Sequence, residues 1–526
     1  MSGGDLGWPL RRAARLYRDS VAVIDGSRTL TYAELAERVA ALASVLDELS
    51  LEAGDRVGFL GVNSLAHLEC WLGVPAAGRV LVDLNFRLSE DELAFIVDDC
   101  ELAVLIVDLH QLEIGRALRS RCPSLEALIA DVSGAPPQEC FAYEELVSGR
   151  PGVPALAPSQ PELAAICYTG GTTGAPKGVM LSHENLLANA RHNLIATGHQ
   201  PSDRWLHVCP MFHVAGTANV FACTWTGARQ VILPRFDGGA VLGTIEREAI
   251  THTVLVPTML ATLLEQLDAG PERRLESLRH IQYAASPIVP ALQRRVLERF
   301  DCDVVQFYGM TEAAPTVSCA SAEDHRLGFA GEPGYVKRLR SVGAPVVGVQ
   351  ADVRGLAGEA LSPGEVGEIW VRGPNVMLGY WKRPQETQTA LVDDWYRTGD
   401  AAYMAEDGYL YLVDRLKDMI ISGGENVYSV EVELALAEHE AVREAAVFGV
   451  PDPHWGEAVY AVVVVDDGSD VRAEELIAHV RRRIAGYKIP RKIEVRQEPL
   501  PKSGAGKVRK NLLKEAFWTG QEQRVR

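Results

Sequence analysis

Between Tyr168 and Gly178 the chain reads YTGGTTGAPKG: four glycines, three threonines, a proline and a lysine in eleven residues, directly after the apolar run LAAIC. Glycine admits positive φ and close backbone approach, while threonine hydroxyls and a lysine ammonium supply donors. Such a stretch suits phosphate oxygens, which backbone nests and hydroxyls grip. The nucleotide-binding P-loop needs GxxxxGK followed by Ser or Thr. Here Lys177 follows Pro176 and precedes Gly178, so that pattern fails. Taken alone, the stretch also admits the lesser reading of a glycine-rich loop without a ligand.

The chain sets limits on what that ligand is. A formal charge of −18 over 526 residues argues against a nucleic-acid surface, which needs a basic face. A small anionic ligand needs only a local positive site. Nine cysteines, Cys70, Cys100, Cys122, Cys140, Cys167, Cys209, Cys223, Cys302 and Cys319, are scattered without a CxxC pair, which predicts reduced thiols and a cytoplasmic setting. The start, MSGGDLGWPLRRAARLYRDS, lacks the apolar core of a secretory signal, and no segment approaches ~18 uninterrupted apolar residues. No membrane span is expected.

Helical and strand-like patterns alternate along most of the chain. TYAELAERVAALASVLDEL opens with Thr31 and Glu34 in capping-box spacing and carries Leu35, Val39, Leu42, Leu46 and Leu49 on one face, predicting a helix. DRVGFLG, RVLVDLN and AVLIVD read as strands, and Ser89 with Glu92 repeats the capping-box spacing before another helix. This alternation predicts an α/β fold with largely parallel sheets. GRPGVPALAPSQP, residues 149–161, holds four prolines and reads as a linker or crossing loop. From about residue 416 the pattern changes to two helices and several strands, in VEVELALAEH, AVREAAVFGV, AVYAVVVVD, AEELIAHVRRRI and RKIEVRQ. A large amino-terminal domain of α/β subdomains, residues 1–415, and a small α+β domain, residues 416–526, are therefore expected.

YTGGTTGAPKGVMLSHENL, residues 168–186, resembles the phosphate-loop signature of the adenylate-forming superfamily, which includes acyl-CoA synthetases, adenylation domains of peptide synthetases and beetle luciferases. Further resemblances follow in that family's order: PMFHVAG (210–216), QFYGMTE (306–312), GEVGEIWVRGPNVMLGYW (364–381), WYRTGD (395–400), DRLKDMIISGGENVYSVEVE (414–433) and PKSGAGKVRK (501–510). The resemblance implies adenylation, in which a carboxylate joins the α-phosphorus of ATP and pyrophosphate leaves. Positioning and electrostatic stabilisation do most of that work.

Residue by residue, Thr169, Gly170, Gly171, Thr172, Thr173, Gly174 and Lys177 correspond to the loop over the β- and γ-phosphates. Ala285, Ser286, Tyr308 and Gly309 fall at ATP-binding positions, with Tyr308 packing against adenine. The resemblance has Thr311 bond the α-phosphate and Glu312 help hold Mg2+, for which one carboxylate plus phosphates is sufficient. It has Asp400 accept both ribose hydroxyls, Arg415 reach ribose and phosphate, and Lys507 neutralise the substrate carboxylate and α-phosphate together. It also implies that the small domain is mobile, turning about a hinge at Lys417 so that Gly423 and Gly424 line a channel for the pantetheine arm of CoA. Without the resemblance, Glu312 reads as an exposed helix-start charge and Arg415 as a surface salt bridge. Lys507 with Lys502, Arg509, Lys510 and Lys514 reads as a solvated basic tail.

His213 corresponds to a residue beside the acyl site and the thiol's route, for gating or positioning; a satisfied core histidine is the alternative. Amino-acid-activating domains carry an aspartate near the start of this segment, where the chain has Phe212, His213 and Val214, so an amino acid is disfavoured. The expected lining, Phe212, Val214, Ala215, Gly216, Ala218, Asn219, Val256 and Ala284 to Pro287, is mostly small and apolar, which suits a hydrophobic or aryl carboxylic acid. YAASP departs from the family's glycine-rich GGAP, and Tyr283 and Ala284 are expected to narrow the adenine or acyl wall. The leading expectation is an ATP-dependent acid:CoA ligase using Mg2+, ATP and CoA. The alternatives are a stand-alone adenylating enzyme that loads a carrier protein and, from another class, a non-catalytic nucleotide-binding sensor. Intact Lys507, Glu312 and Asp400 speak against the last. Assembly into a homo-oligomer stays open.

Overall fold

A computed structural model describes residues 5–132, 135, 137–150, 162–169, 176–285, 288, 290–355, 357–415, 418–423, 425–466, 468–502 and 508–518. Most of the proline-rich stretch 149–161 therefore lies outside the described residues. Both capping boxes close as the spacing predicts. The Thr31 side chain accepts from the Glu34 N–H while the Glu34 carboxylate accepts from the Thr31 N–H at 2.7 Å, starting the helix Tyr32–Glu48. That helix buries Leu35, Val39, Leu42 and Leu46. Ser89 and Glu92 start Glu90–Cys100 in the same way.

The apolar runs become the strands Arg56–Leu60, Val80–Leu84 and Val104–Asp108, which pair in parallel. They read as continuous hydrophobic runs because helices cover both faces of such a sheet. Among the described residues this sheet has eight strands. Beside Val80–Leu84 it continues through Leu163–Thr169 to the antiparallel strand Lys177–Ser182. A nine-stranded sheet carries the parallel neighbours Arg204–His207, His252–Leu255, His280–Tyr283 and Asp303–Gly309. Ligands bind outside the carboxyl ends of strands in such sheets. Asp303–Gly309 runs straight into the short turn Thr311–Ala313 that holds Glu312.

A five-stranded antiparallel sheet contains Trp395–Met404 and Leu410–Arg415, in a register that sets Asp400 opposite Arg415. A second five-stranded sheet, built from Ile420–Ser422, Glu425–Val427, Val442–Asp452, Gly456–Val465 and Lys492–Arg496, belongs to the carboxy-terminal part. Its two expected helices are Ser429–Ala437 and Ala473–Arg481; a third, Lys510–Trp518, was not foreseen. That helix overturns the reading of the final lysines as a solvated tail. The Lys510 ammonium lies 2.6 Å from Ser429 Oγ and 2.7 Å from Glu433, and Lys502 lies 2.7 Å from Glu444. Burial works against the charge on Lys510, but Glu433 and Asp414 outweigh it and its pKa is raised. Asp414 in turn accepts from the backbone N–H and the hydroxyl of Ser429.

Close approach demands glycine where the nine-stranded sheet meets the Glu312 turn. A Cβ on Gly309 would fall 1.8 Å from the carbonyl oxygen of Pro315. Both groups are tied to backbone, so neither yields without shifting the turn. Gly309→Ala is expected to cost ~2 kcal/mol or more. Differential scanning calorimetry should show a clearly lowered midpoint; an unchanged midpoint would contradict this packing.

Candidate active site

Three elements converge on Asp400. Tyr308, next to last in Asp303–Gly309, donates its hydroxyl to Asp400 Oδ2 at 2.7 Å. Arg415 places Nε 3.2 Å from Asp400 Oδ1 across the antiparallel ladder. Thr398 Oγ1 receives the Asp400 N–H at 3.0 Å. Burial, followed by the charge of Asp400, pushes the Tyr308 phenol well above its ordinary range, so it stays a donor. Burial also opposes the charge of Arg415, but Asp400 and Asp418 outweigh it and its pKa is raised. The result is a buried carboxylate held rigidly at the rim of two sheets, with lone pairs left for further donors.

A second chain of contacts links the phosphate-loop stretch to Glu312. Thr169 and Lys177 are cross-strand partners, and Thr169 Oγ1 donates to the Lys177 carbonyl at 3.4 Å. The two ends of the glycine-rich loop are thereby clamped together. Gly170, Gly171, Thr172, Thr173 and Gly174 lie outside the described residues. The Lys177 ammonium sits 5.3 Å from the centre of the Tyr380 ring. Tyr380 donates to Glu312 Oε1 at 3.0 Å and is hydrogen-bonded to Tyr396. Tyr380 and Tyr396 were not singled out from sequence, although both sit inside recognised stretches, GYW and WYRTGD. Tyr380 reaches the site because Gly379–Tyr380 pairs with Val179 and Met180. Thr311 is half-buried beside Glu312. Among the described residues no group of three or more His, Cys, Asp or Glu is arranged to hold a metal. A cation at Glu312 would take its other ligands from phosphates and water, which suits magnesium.

In the segment expected to line the acyl site, His213 caps the short helix Val214–Thr217, its Nδ1 accepting the Ala215 N–H at 3.2 Å. That bond fixes the orientation of the ring. Gly216 is required there, since a Cβ would lie 2.1 Å from the Pro210 carbonyl oxygen. Val214 is buried, and Ala284 packs at the edge of the core. Phe212 meets Phe86 edge to face, with ring centres 5.4 Å apart. Arg87 and Arg235 stand 5.4 and 5.5 Å from the Phe86 ring, two guanidinium groups that sequence reasoning passed over.

Tyr283 does not narrow a pocket wall. It is fully buried on the opposite face of its strand, its hydroxyl bonded to Gln306, His325 and Gln293. The neighbouring departure from GGAP has a visible consequence: Ala285 takes φ +76°, a left-handed conformation that glycine adopts freely. Gly423 also has positive φ, +64°, and packs on Trp455. Ser286, Lys417, Gly424 and Lys507 lie outside the described residues.

A family model for AMP-binding enzymes matches residues 10–381, and one for the AMP-binding enzyme C-terminal domain matches residues 431–507. The chain belongs to the AMP-binding enzymes. A feruloyl-CoA synthase from Amycolatopsis sp is 40% identical over 520 residues, 97% of this chain and 98% of that protein. An indoleacetate–CoA ligase from Aromatoleum aromaticum is 37% identical, covering 96% of each chain. Among solved structures, an amide bond synthetase from Marinactinospora thermotolerans superposes with a TM-score of 0.86 at 32% identity, over 97% of this chain and 100% of that one. The o-succinylbenzoate CoA synthetase of Bacillus subtilis, in complex with an acyl-adenylate intermediate, superposes at 0.84 and 30%, over 98% and 99%. This AMP-binding enzyme is thus a member of the acyl-CoA synthetases of the adenylate-forming superfamily, with a large amino-terminal and a smaller carboxy-terminal domain.

Among the described residues the Tyr308 hydroxyl is the one neutral side-chain donor on the Asp400 carboxylate, and it can be removed without disturbing charge. Tyr308→Phe is expected to weaken ATP binding roughly 10- to 100-fold, as loss of a hydrogen bond to a buried carboxylate does. Isothermal titration of the variant checks it, and unaltered affinity would remove Asp400 from the nucleotide site.

Proposed function

We propose that this enzyme is an ATP-dependent acid:CoA ligase for a hydrophobic or aryl carboxylic acid. The observation that carries the reading is the pairing of Tyr308–Asp400–Arg415 with Lys177–Tyr380–Glu312, around a loop clamped at both ends. In the first step a carboxylate oxygen attacks the α-phosphorus, the bond to the β-phosphate oxygen breaks, and pyrophosphate leaves. Asp400 accepts the ribose hydroxyls, Arg415 supports ribose and phosphate, and Thr311 donates to the α-phosphate. The loop from Thr169 to Lys177 holds the leaving group. Magnesium, held through Glu312, supplies charge neutralisation on the phosphates when bound. In the second step the CoA sulfur attacks the acyl carbonyl and AMP departs, with Arg87 and Arg235 suited to an anionic co-substrate.

Lys507 supplies the positive charge between the two anions of the first step. Residues 416–526 act as a mobile unit that turns about Lys417 and brings Gly423 and Gly424 to the thiol's path. The relatives' names support CoA as acceptor, since the feruloyl-CoA synthase and the indoleacetate–CoA ligase both name it. The reaction is placed in the cytoplasm, where both co-substrates are found; among the described residues no helix is long and apolar enough to cross a membrane. The second reading, transfer of the adenylate to another acceptor such as a carrier protein, draws on a fatty acid–acyl-carrier-protein ligase from Streptomyces coeruleorubidus at 33% identity.

With Mg-ATP and a panel of aryl and fatty acids, the protein is expected to catalyse carboxylate-dependent pyrophosphate exchange; silence across the panel would sink the ligase reading. Mass spectrometry of products with CoA and with carrier proteins separates the two acceptors. Lys507→Ala should slow adenylation ~100-fold or more while sparing thioester formation from supplied acyl-adenylate. An equal loss in both steps would contradict the two-conformation account.

A further inference from the structure

One short segment grips both the strand that ends the phosphate-loop stretch and the turn that holds Glu312. The Met377 N–H donates to the Glu312 carbonyl at 2.8 Å, and the Leu378 N–H donates to the Met180 carbonyl at 2.9 Å. Gly379–Tyr380 pairs with Val179 and Met180, and the Trp381 N–H donates to the Gly178 carbonyl at 2.8 Å. The opposite flank of the loop joins the same segment through Asp99. Its carboxylate accepts from the Tyr168 hydroxyl at 2.6 Å, and its backbone carbonyl accepts from the Trp381 indole at 3.0 Å.

Within this segment Tyr380 does more than packing requires. Its ring centre lies 5.3 Å from the Lys177 ammonium, and its hydroxyl donates to Glu312 Oε1 at 3.0 Å. A phenol has one proton. With that proton on Glu312, the bond between Tyr396 and Tyr380 is donated by Tyr396. Tyr396 is 4% exposed and lies in Trp395–Met404, the strand that carries Asp400. The result is a directed chain from Tyr396 through Tyr380 to Glu312. Phenylalanine would fill the same place on the strand and keep a ring beside Lys177, but it would leave the carboxylate free to turn. The phenol instead occupies one carboxylate oxygen and leaves Oε2 for another ligand. Glu312 sits in a turn of three residues, Thr311–Ala313, and an untied side chain there would lose its rotamer freedom only when a cation bound. Groups that hold a ligating carboxylate from behind remove that cost and raise metal affinity.

We propose that Tyr380 is a positioning residue for magnesium: its hydroxyl fixes Glu312 before the cation arrives, and its strand ties that carboxylate to the end of the phosphate loop. This rests on the reading above in which Glu312 holds magnesium beside ATP. Tyr380 acts through Glu312, so its loss should weaken the metal and spare nucleotide bound without metal.

The test uses the full-length enzyme without any acid substrate. Isothermal titration measures ATP binding in EDTA, and electron paramagnetic resonance measures Mn2+ binding to the ATP-saturated enzyme, Mn2+ sharing the oxygen ligands of Mg2+. Tyr380→Phe is expected to weaken Mn2+ binding ~10-fold or more while ATP affinity in EDTA stays that of the wild type. Tyr396→Phe keeps the bond to Glu312 but removes the donor behind it, and should shift Mn2+ binding in the same direction by a smaller factor. Unchanged Mn2+ affinity in Tyr380→Phe, or equal weakening of Mn2+ and of metal-free ATP, would make Tyr380 a packing residue and overturn the inference. Where Tyr380→Phe does not fold, Tyr396→Phe decides, and unchanged Mn2+ affinity there overturns it. Wild-type enzyme that binds ATP but leaves the Mn2+ signal that of Mn-ATP in solution would overturn the metal role of Glu312 and this inference, with the nucleotide site left standing. No ATP binding at all would overturn the ligase reading as well.

Discussion

The buried carboxylate of Asp400 is the constraint on which the site depends. At 7% exposure it requires partners, because an unpaired charge in such a place costs several kcal/mol. It finds them on two different sheets: a phenol from the nine-stranded sheet and a guanidinium from its own antiparallel ladder. Holding Asp400 therefore holds the two sheets in register with each other. The same fixed oxygens keep lone pairs that side-chain partners have not used, so the structural tie and the capacity to receive further donors are one arrangement.

Much of the architecture was legible because its causes are local. Thr31 with Glu34 and Ser89 with Glu92 start helices through bonds three residues apart, and the buried parallel strands declare themselves as apolar runs. The motif stretches named Tyr308, Glu312, Asp400 and Arg415, and the fold gathers them. What was not legible depends on distant pairing. Tyr380 matters only because its strand pairs with residues some two hundred positions earlier. Tyr283 was expected on the adenine or acyl wall because YAASP departs from GGAP, while its hydroxyl is tied to Gln306, His325 and Gln293, partners the motif does not contain. Lys510 looked solvent-exposed because its partners, Ser429 and Glu433, lie about eighty residues away.

In a chain of net charge −18, positive side chains are gathered locally. Lys177 stands over an aromatic face instead of a carboxylate, and Arg87 and Arg235 cluster on Phe86. A cation held on an aromatic ring is partly desolvated. The acidic remainder of the surface bears on solubility and repulsion, and it sets no limit on a recessed positive site.

Strand alternation also explains how one segment serves both domains. Arg415 and Asp414 are neighbours in Leu410–Arg415, so their side chains leave on opposite faces. Arg415 turns to Asp400 and the nucleotide side, whereas Asp414 binds Ser429, which Lys510 also contacts. A rotation of the small domain about Lys417 would have to break the Asp414–Ser429 bonds while leaving Arg415 on Asp400. The two contacts are divided between two adjacent residues by the period of a β-strand. On the reading proposed above, nucleotide would stay held while Lys507 withdraws, which is what a reaction with two successive nucleophiles requires of a single site.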